Sequence, residues 1–297
     1  MVTITTFFSY KGGAGRSTTC LNTIPFLAEE SEAHAQTPIL LMDMDIESAG
    51  MTYLLNQQDV FKGKYDVKEF LKGEETWSSA SVSDLKSHPL YKKFVPVGNL
   101  LGLAENDSVL FLGVDDSSAQ LDRSDVAGKI EEMMNRLQRF AANNNFRAIV
   151  LDSAAGDQFS ARLAVDSSDK IVFCMRPTRQ FRVGTFNYLR RLDIKYGKAG
   201  DEKEIILLPT VVPHDAVISG DSQLQTSVDD IKKRISTIEN LDIISDFVKV
   251  DKFGINEITR FKWQEGVLYK LKKEEAITPD EEEGLKRYKK LAQLICE

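Results

Sequence analysis

The run Lys11-Gly12-Gly13-Ala14-Gly15-Arg16-Ser17-Thr18 holds the residue types in this chain best suited to chemistry. It follows the apolar, β-branched stretch from Val2 to Phe8 and opens the apolar-periodic segment from Cys20 to Leu27. Strand, glycine-rich loop and helix, in that order, form the setting in which a loop binds a phosphate chain. Glycine lets the backbone curl so that successive N–H groups face one anion. The helix N-terminus behind the loop adds donors and a partial positive charge. Ser17 is placed to offer its hydroxyl to Mg²⁺. A glycine-rich turn without a ligand is the bland alternative, but strand, loop, hydroxyl pair and helix agree on a phosphate.

A magnesium nucleotide site also needs carboxylates near such a loop, and two apolar runs lead into acids. Ile39-Leu40-Leu41-Met42 precedes Asp43-Met44-Asp45, and Ala148-Ile149-Val150-Leu151 precedes Asp152. A charge after four apolar residues marks the carboxyl edge of a buried strand, where open α/β sheets bind ligands. Each Asp taken alone could instead cap a helix.

One residue departs from the ordinary phosphate loop, which has Gly-Lys before the Ser or Thr. Here Gly15-Arg16-Ser17 stands in its place, and a lysine, Lys11, stands at the front. This order resembles the deviant Walker A loop of the ParA/MinD family of ATPases. Arg keeps the charge of Lys but not its shape, being planar and longer, so phosphate binding is more secure than ordinary turnover. Asp43-Met44-Asp45-Ile46 is similar to the family's switch I segment. Asp152-Ser153-Ala154-Ala155-Gly156 is similar to its Walker B and switch II segment, with Ala154 where MinD-like members have proline.

The resemblance implies an ATPase that takes ATP and Mg²⁺. Gly12, Gly13, Ala14, Gly15, Arg16, Ser17 and Thr18 would hold the phosphates. Ser17 and Asp152 would hold Mg²⁺, Asp43 would support the metal shell and Asp45 would orient the attacking water. Lys11 would reach across a nucleotide-dependent homodimer to the partner's phosphates, or else cap its own loop. The family's base pocket corresponds to Leu207–Pro213, with Pro209, Thr210 and Val211 at its centre, and to Val248–Lys252. Pro209-Thr210 replaces the family's frequent Asn there. No Asn/Thr-Lys-x-Asp guanine motif occurs, so ATP is preferred to GTP.

These residues need a scaffold, and the chain alternates strand and helix patterns. Strands are expected at Ile4–Phe8, Ile39–Met44, Val109–Leu112, Ala148–Leu151, Lys170–Met175, Ile205–Leu208 and Ile243–Val250. Helices are expected at Ser17–Glu30, Ser124–Asn143, Gln158–Asp166, Val183–Tyr196, Val228–Glu239 and Pro279–Cys296. That alternation predicts an α/β fold, a mostly parallel sheet with helices on both faces, in P-loop NTPase style. The economical reading of 297 residues is one domain over 1–297. An elaboration at about 57–106, with short helices near Val67–Leu71 and Val82–Leu85, either carries partner specificity or covers the scaffold.

Composition sets the limits. Hydrophobic content of 42% and charged content of 28% suit a globular chain. No apolar run reaches the length of about 18 residues that a spanning helix needs, and no secretory signal is expected. Cys20, Cys174 and Cys296 lack metal spacing, and the first two read as buried thiols, which fits a reducing cytosol. His34, His88 and His214 form no ligand cluster. A net charge of −7 repels nucleic acid and anionic lipid overall.

Three tasks fit such an ATPase. One is a switch that regulates a partner protein or assembly, the reading preferred here. Another is a DNA-coating partitioning ATPase, for which Arg176, Arg179, Arg182, Arg190, Arg191, Lys195 and Lys198 offer a basic cluster; the plainer meaning of that cluster is a solvated helix face. A nucleotide-binding scaffold with little hydrolysis is the third, and Arg16 is its best support. Membrane positioning would need the stripe Leu285, Tyr288, Leu291, Leu294 and Ile295 to face lipid; docking on the core is the simpler expectation.

Overall fold

The computed structural model describes residues 2–29, 37–55, 67–68, 94–114, 139, 146–199, 203–212, 222–249, 254–255 and 279–297. The expected helix Ser124–Asn143 lies outside them except at Arg139. Most of the 57–106 elaboration, including both of its short helices beyond Val67 and Lys68, also lies outside. So do the three histidines and residues 250–252.

The described strands are β1 (Thr3–Ser9), β2 (Ile39–Met44), β3 (Val95–Pro96), β4 (Val109–Leu112), β5 (Ala148–Ala155), β6 (Lys170–Met175), β7 (Glu204–Pro209) and β8 (Asp242–Ile244). They form one eight-stranded sheet in the order β3-β4-β2-β5-β1-β6-β7-β8. The helices are α1 (Arg16–Glu29), α2 (Gly50–Leu55), α3 (Phe159–Ser167), α4 (Arg179–Ala199), α5 (Ser222–Ile235) and α6 (Pro279–Cys296). By packing, the chain divides into two compact units, Met1–Thr6 with Ala28–Ser168 and Phe7–Leu27 with Asp169–Glu297.

In the first unit β2 pairs in parallel with both β4 and β5, and β3 closes the edge antiparallel to β4. A strand covered on both faces has no reason to alternate, which is why β4 and the first four residues of β2 read as unbroken apolar runs, and both strands are buried throughout. Pro96 is tolerated because β3 is an edge strand. Leu40, Met42, Leu110, Leu112, Ile149 and Leu151 form the core. Thr6 donates its hydroxyl to the Ala164 carbonyl of α3.

In the second unit β7 pairs in parallel with β6 and β8. Phe8, Phe173 and Tyr188 interlock, with the two Phe rings edge-on at 5.0 Å and Phe8 stacked on Tyr188 at 4.7 Å. The apolar stripe of α6 is buried at Tyr288, Leu291, Leu294 and Ile295. Lys170 Nζ donates to the Leu294 carbonyl at 2.9 Å, and the Asn22 amide reaches the Tyr288 hydroxyl at 3.5 Å. The stripe is therefore spent on packing, as the docking alternative expects. Cys20 and Cys174 are buried. Among the described residues no helix is long and apolar enough to cross a membrane.

Several boundaries differ from the sequence reading, each for a physical reason. Helix α4 extends beyond Val183–Tyr196 at both ends, because apolar spacing marks only the buried positions and its ends are polar. Helix α5 spans Ser222–Ile235 rather than Val228–Glu239. Its buried anchors are Val228 and Ile231, and turns at Thr237 and Ile238 end it early. Strand β8 stops at Ile244 instead of reaching Val250, since Ser245 and Asp246 start a turn closed by the Val248 N–H on the Ser245 carbonyl. Strand β5 runs past Leu151 to Ala155, carrying Asp152 inside the ladder.

Phe173 is fully buried at the centre of the aromatic cluster. Phe173→Ala is expected to lower unfolding free energy by about 3–5 kcal/mol in urea titrations, through lost burial and a cavity.

Candidate functional site

The loop from Tyr10 to Gly15 connects β1 to α1. Gly13 and Gly15 take φ of +77° and +73°, values that a side chain rarely tolerates. Gly15 has a second constraint, because a Cβ there would lie 2.9 Å from Cγ2 of Val211. The loop's carbonyls have partners on its outer side. The Nε–H of Arg176 donates to Gly13 O at 2.7 Å, the hydroxyl of Thr210 donates to Ala14 O at 2.5 Å, and the Thr19 N–H donates to Gly15 O at 2.9 Å. Backbone amides point opposite to their carbonyls across each trans peptide, so this pattern suits an anion-binding concavity.

Lys11 is exposed, with its ammonium 6.0 Å from the centre of the Phe181 ring. Arg16 is only 9% exposed, Ser17 is half-buried and Thr18 is exposed. Pro209, Thr210 and Val211 lie beside the loop. Thr210 is buried, its N–H donating to Met175 O at 2.8 Å. Val211 takes φ +53°, strained for a β-branched residue. A small ladder holds the strain: Ile255 N–H donates to Pro209 O at 2.8 Å and Val212 N–H to Ile255 O at 3.1 Å. Gly254, at φ +60°, passes so close that a Cβ would sit 2.2 Å from Pro209 O. Arg287 of α6 donates to Gly254 O at 2.7 Å.

In the first unit Asp43 and Asp152 are register partners on β2 and β5, and both are fully buried. Sequence reading put these acids at the strand ends; they lie within the sheet ladder. Burial first and the neighbouring Asp152 carboxylate second raise the Asp43 pKa to about 7, against the opposing Thr52 hydroxyl and N–H. Thr52 donates to Oδ2 from its N–H at 2.8 Å and from its hydroxyl at 2.7 Å. Asp45 N–H donates to Asp43 Oδ1 at 3.1 Å, and Asp45 Oδ1 accepts from Ser48 N–H at 3.3 Å. Asp45 is half-buried.

Sequence reasoning missed four contributors. Thr52 gives no local signal, since only folding brings it back over Asp43. Arg176 was grouped with a basic surface cluster, yet it binds Gly13 O. Gly254 and Arg287 are far in sequence from what they hold. The basic cluster itself is divided: Arg182 pairs with Asp230 at 3.3 Å and Ser227 at 2.6 Å, while Arg191 and Lys195 lie over Tyr188 and Tyr196.

No family model matches the chain, and no curated protein matches it in sequence. Solved structures do resemble it. The septum site-determining protein MinD from Pyrococcus horikoshii, complexed with Mg-ADP, shares 18% identity over 99% of this chain and 96% of that one, with a TM-score of 0.54. A ParA family ATPase from Chlorobium tepidum shares 15% over 99% of each, with a TM-score of 0.57. An ATP complex of a Cyanothece McdA variant shares 14% over 100% and 98%, with a TM-score of 0.61. The fold is the α/β architecture of the P-loop NTPases, in the form seen in MinD and ParA ATPases.

Two outcomes are expected. Asp43 binds its proton more tightly folded than unfolded, so stability is full below pH 3.8 and is lost as pH rises toward about 7. In urea titrations without nucleotide or divalent cation, the protein should lose on the order of 2 kcal/mol between pH 5 and 8, and Asp43→Asn should flatten that slope. Gly254→Ala should cost about 2 kcal/mol or more by the same measurement, because its Cβ meets backbone and its φ is wrong for alanine.

Proposed function

We propose that this protein is an ATP-binding, slowly hydrolysing molecular switch that dimerises on ATP and regulates a partner protein or assembly. The observation that carries the reading is the glycine loop at the start of α1, with positive φ at Gly13 and Gly15 and its carbonyls held on the outside. The likeness to MinD with Mg-ADP and to McdA with ATP supports the choice of nucleotide.

The residues fit the ligands. The backbone of Gly12 to Thr18 and the Arg16 guanidinium bind phosphate. Asp43 and Asp152 are buried side by side; Asp152 and Ser17 are the proposed Mg²⁺ ligands, and Asp43 supports the metal shell. When bound, Mg²⁺ neutralises phosphate charge and orients the oxygens that exchange. Asp45 positions the attacking water. Lys11, exposed at the front of the loop, acts across a homodimer on the partner's nucleotide. Pro209, Thr210 and Val211 border the base. The chain acts as one ATPase domain in a bacterial cytosol, with the 57–106 elaboration serving partner choice.

A second reading has its own observation. Arg16 stands where the ordinary loop has Lys and is almost fully buried, which suits a nucleotide-binding scaffold with little hydrolysis. The divided basic cluster of α4 gives less support to DNA coating.

Molar mass in solution with ATP and Mg²⁺, with ADP, and without nucleotide tests the proposal. A dimer is expected with ATP alone, and Asp45→Ala should bind ATP as tightly, stay dimeric and lose turnover by about 100-fold or more. A mass indifferent to nucleotide would overturn the switch, and an Asp45→Ala protein that hydrolyses ATP normally would remove the role of Asp45.

A further inference from the structure

The phosphate loop contains two peptides flanked by glycine, Gly13–Ala14 and Ala14–Gly15. A peptide beside glycine turns over by compensating rotations that meet no Cβ on the glycine side. Left alone, such a loop samples states in which a carbonyl oxygen, not an N–H, faces the anion. In this structure neither peptide is left alone. The first has its carbonyl on Arg176 Nε–H at 2.7 Å, and the second has its carbonyl on the Thr210 hydroxyl at 2.5 Å. The next carbonyl, Gly15 O, is taken by the first hydrogen bond of α1, from Thr19 N–H at 2.9 Å.

We infer that Arg176 and Thr210 are positioning residues that hold two loop carbonyls outward and thereby aim the N–H groups of Ala14 and Gly15 at the phosphate. The inference rests on the nucleotide reading above and adds residues from two other elements to it. Thr210 is buried and anchored: its own N–H is on Met175 O, and Pro209 and Val212 on either side are bonded to Ile255. The strained Val211 turns the chain immediately after Thr210 and lies against Gly15. Strain at that point has a use if it keeps the hydroxyl over Ala14. Arg176 is a fork of fixed geometry, so its Nε–H aims at one acceptor in a way an ammonium does not.

The experiment pairs two readouts on wild type, Thr210→Val, Thr210→Ser, Arg176→Ala and Arg176→Lys. One is Mg-ATP and Mg-ADP affinity by calorimetry. The other is the amide NMR lines of Gly13, Ala14 and Gly15 in the nucleotide-free protein, where peptide turnover on the microsecond-to-millisecond scale shows as exchange broadening. Thr210→Val and Arg176→Ala should each weaken nucleotide binding about tenfold and broaden those lines. Thr210→Ser, which keeps the hydroxyl, should stay within about twofold of wild type. Arg176→Lys should behave like Arg176→Ala, because it keeps charge and loses the fork.

Sharp lines and unchanged affinity in Thr210→Val and Arg176→Ala would overturn the inference. Full rescue by Arg176→Lys would reduce Arg176 to a point charge and overturn its positioning role. If wild type binds neither nucleotide, the functional reading falls, and the NMR lines of the variants still decide whether the two residues hold the loop. Should Thr210→Val fail to fold, Arg176→Ala, at a partly exposed position, decides alone.

Discussion

Backbone carbonyls in a glycine-rich loop need partners from outside the loop to hold one orientation. That constraint organises the second unit of this protein. The Gly13, Ala14 and Gly15 carbonyls go to Arg176, Thr210 and Thr19, which come from the end of β6, the end of β7 and the first turn of α1. The loop is therefore as well ordered as the strand ends that hold it. The same logic extends outward, since Pro209 and Val212 are bridged to Ile255 and Gly254 is held by Arg287. A helix near the end of the chain thus belongs to the support of a loop near its start.

The first unit faces the opposite electrostatic problem. Two carboxylates are buried as neighbours on parallel strands, and Asp43 has a raised pKa because the sheet excludes water and Asp152 lies beside it. Thr52 supplies two donors to the same oxygen of Asp43, and Asp45 supplies one to the other. These bonds fix the orientation of the group without cancelling the charge problem. The pair is held in place by donors on one member while burial and the neighbouring acid keep that member's proton.

Between these sites the fold is ordinary in its energetics. Apolar strands buried on both faces supply the core, and aromatic contacts among Phe8, Phe173 and Tyr188 tie β1 to β6 and α4. Arg182, Asp230 and Arg234 link α4 to α5 by charge. Of the basic residues of α4, Arg182 is committed to Asp230, and Arg191 and Lys195 lie over the aromatic faces of Tyr188 and Tyr196.

The strands β2, β4 and β6 were legible residue for residue, because burial on both faces leaves runs that are apolar at nearly every position. The glycine loop was legible because positive φ demands glycine at Gly13 and Gly15, and the acids because a charge interrupts an apolar run. Helix ends on α4 and α5 were not, since polar turns carry no period, and β8 was overdrawn because Ile243-Ile244 looks like a strand whether or not Ser245 turns the chain. By itself the sequence determined where glycine permits a positive φ and where an acid interrupts an apolar run, as local backbone preference and hydropathy are properties of neighbours in the chain. Only the tertiary structure decided that Thr52 holds Asp43, that Thr210 and Arg176 hold the loop and that Arg287 reaches Gly254. Those contacts reach beyond the local turn or strand of the residue they hold, and nothing local encodes which donors a fold will bring to a given oxygen.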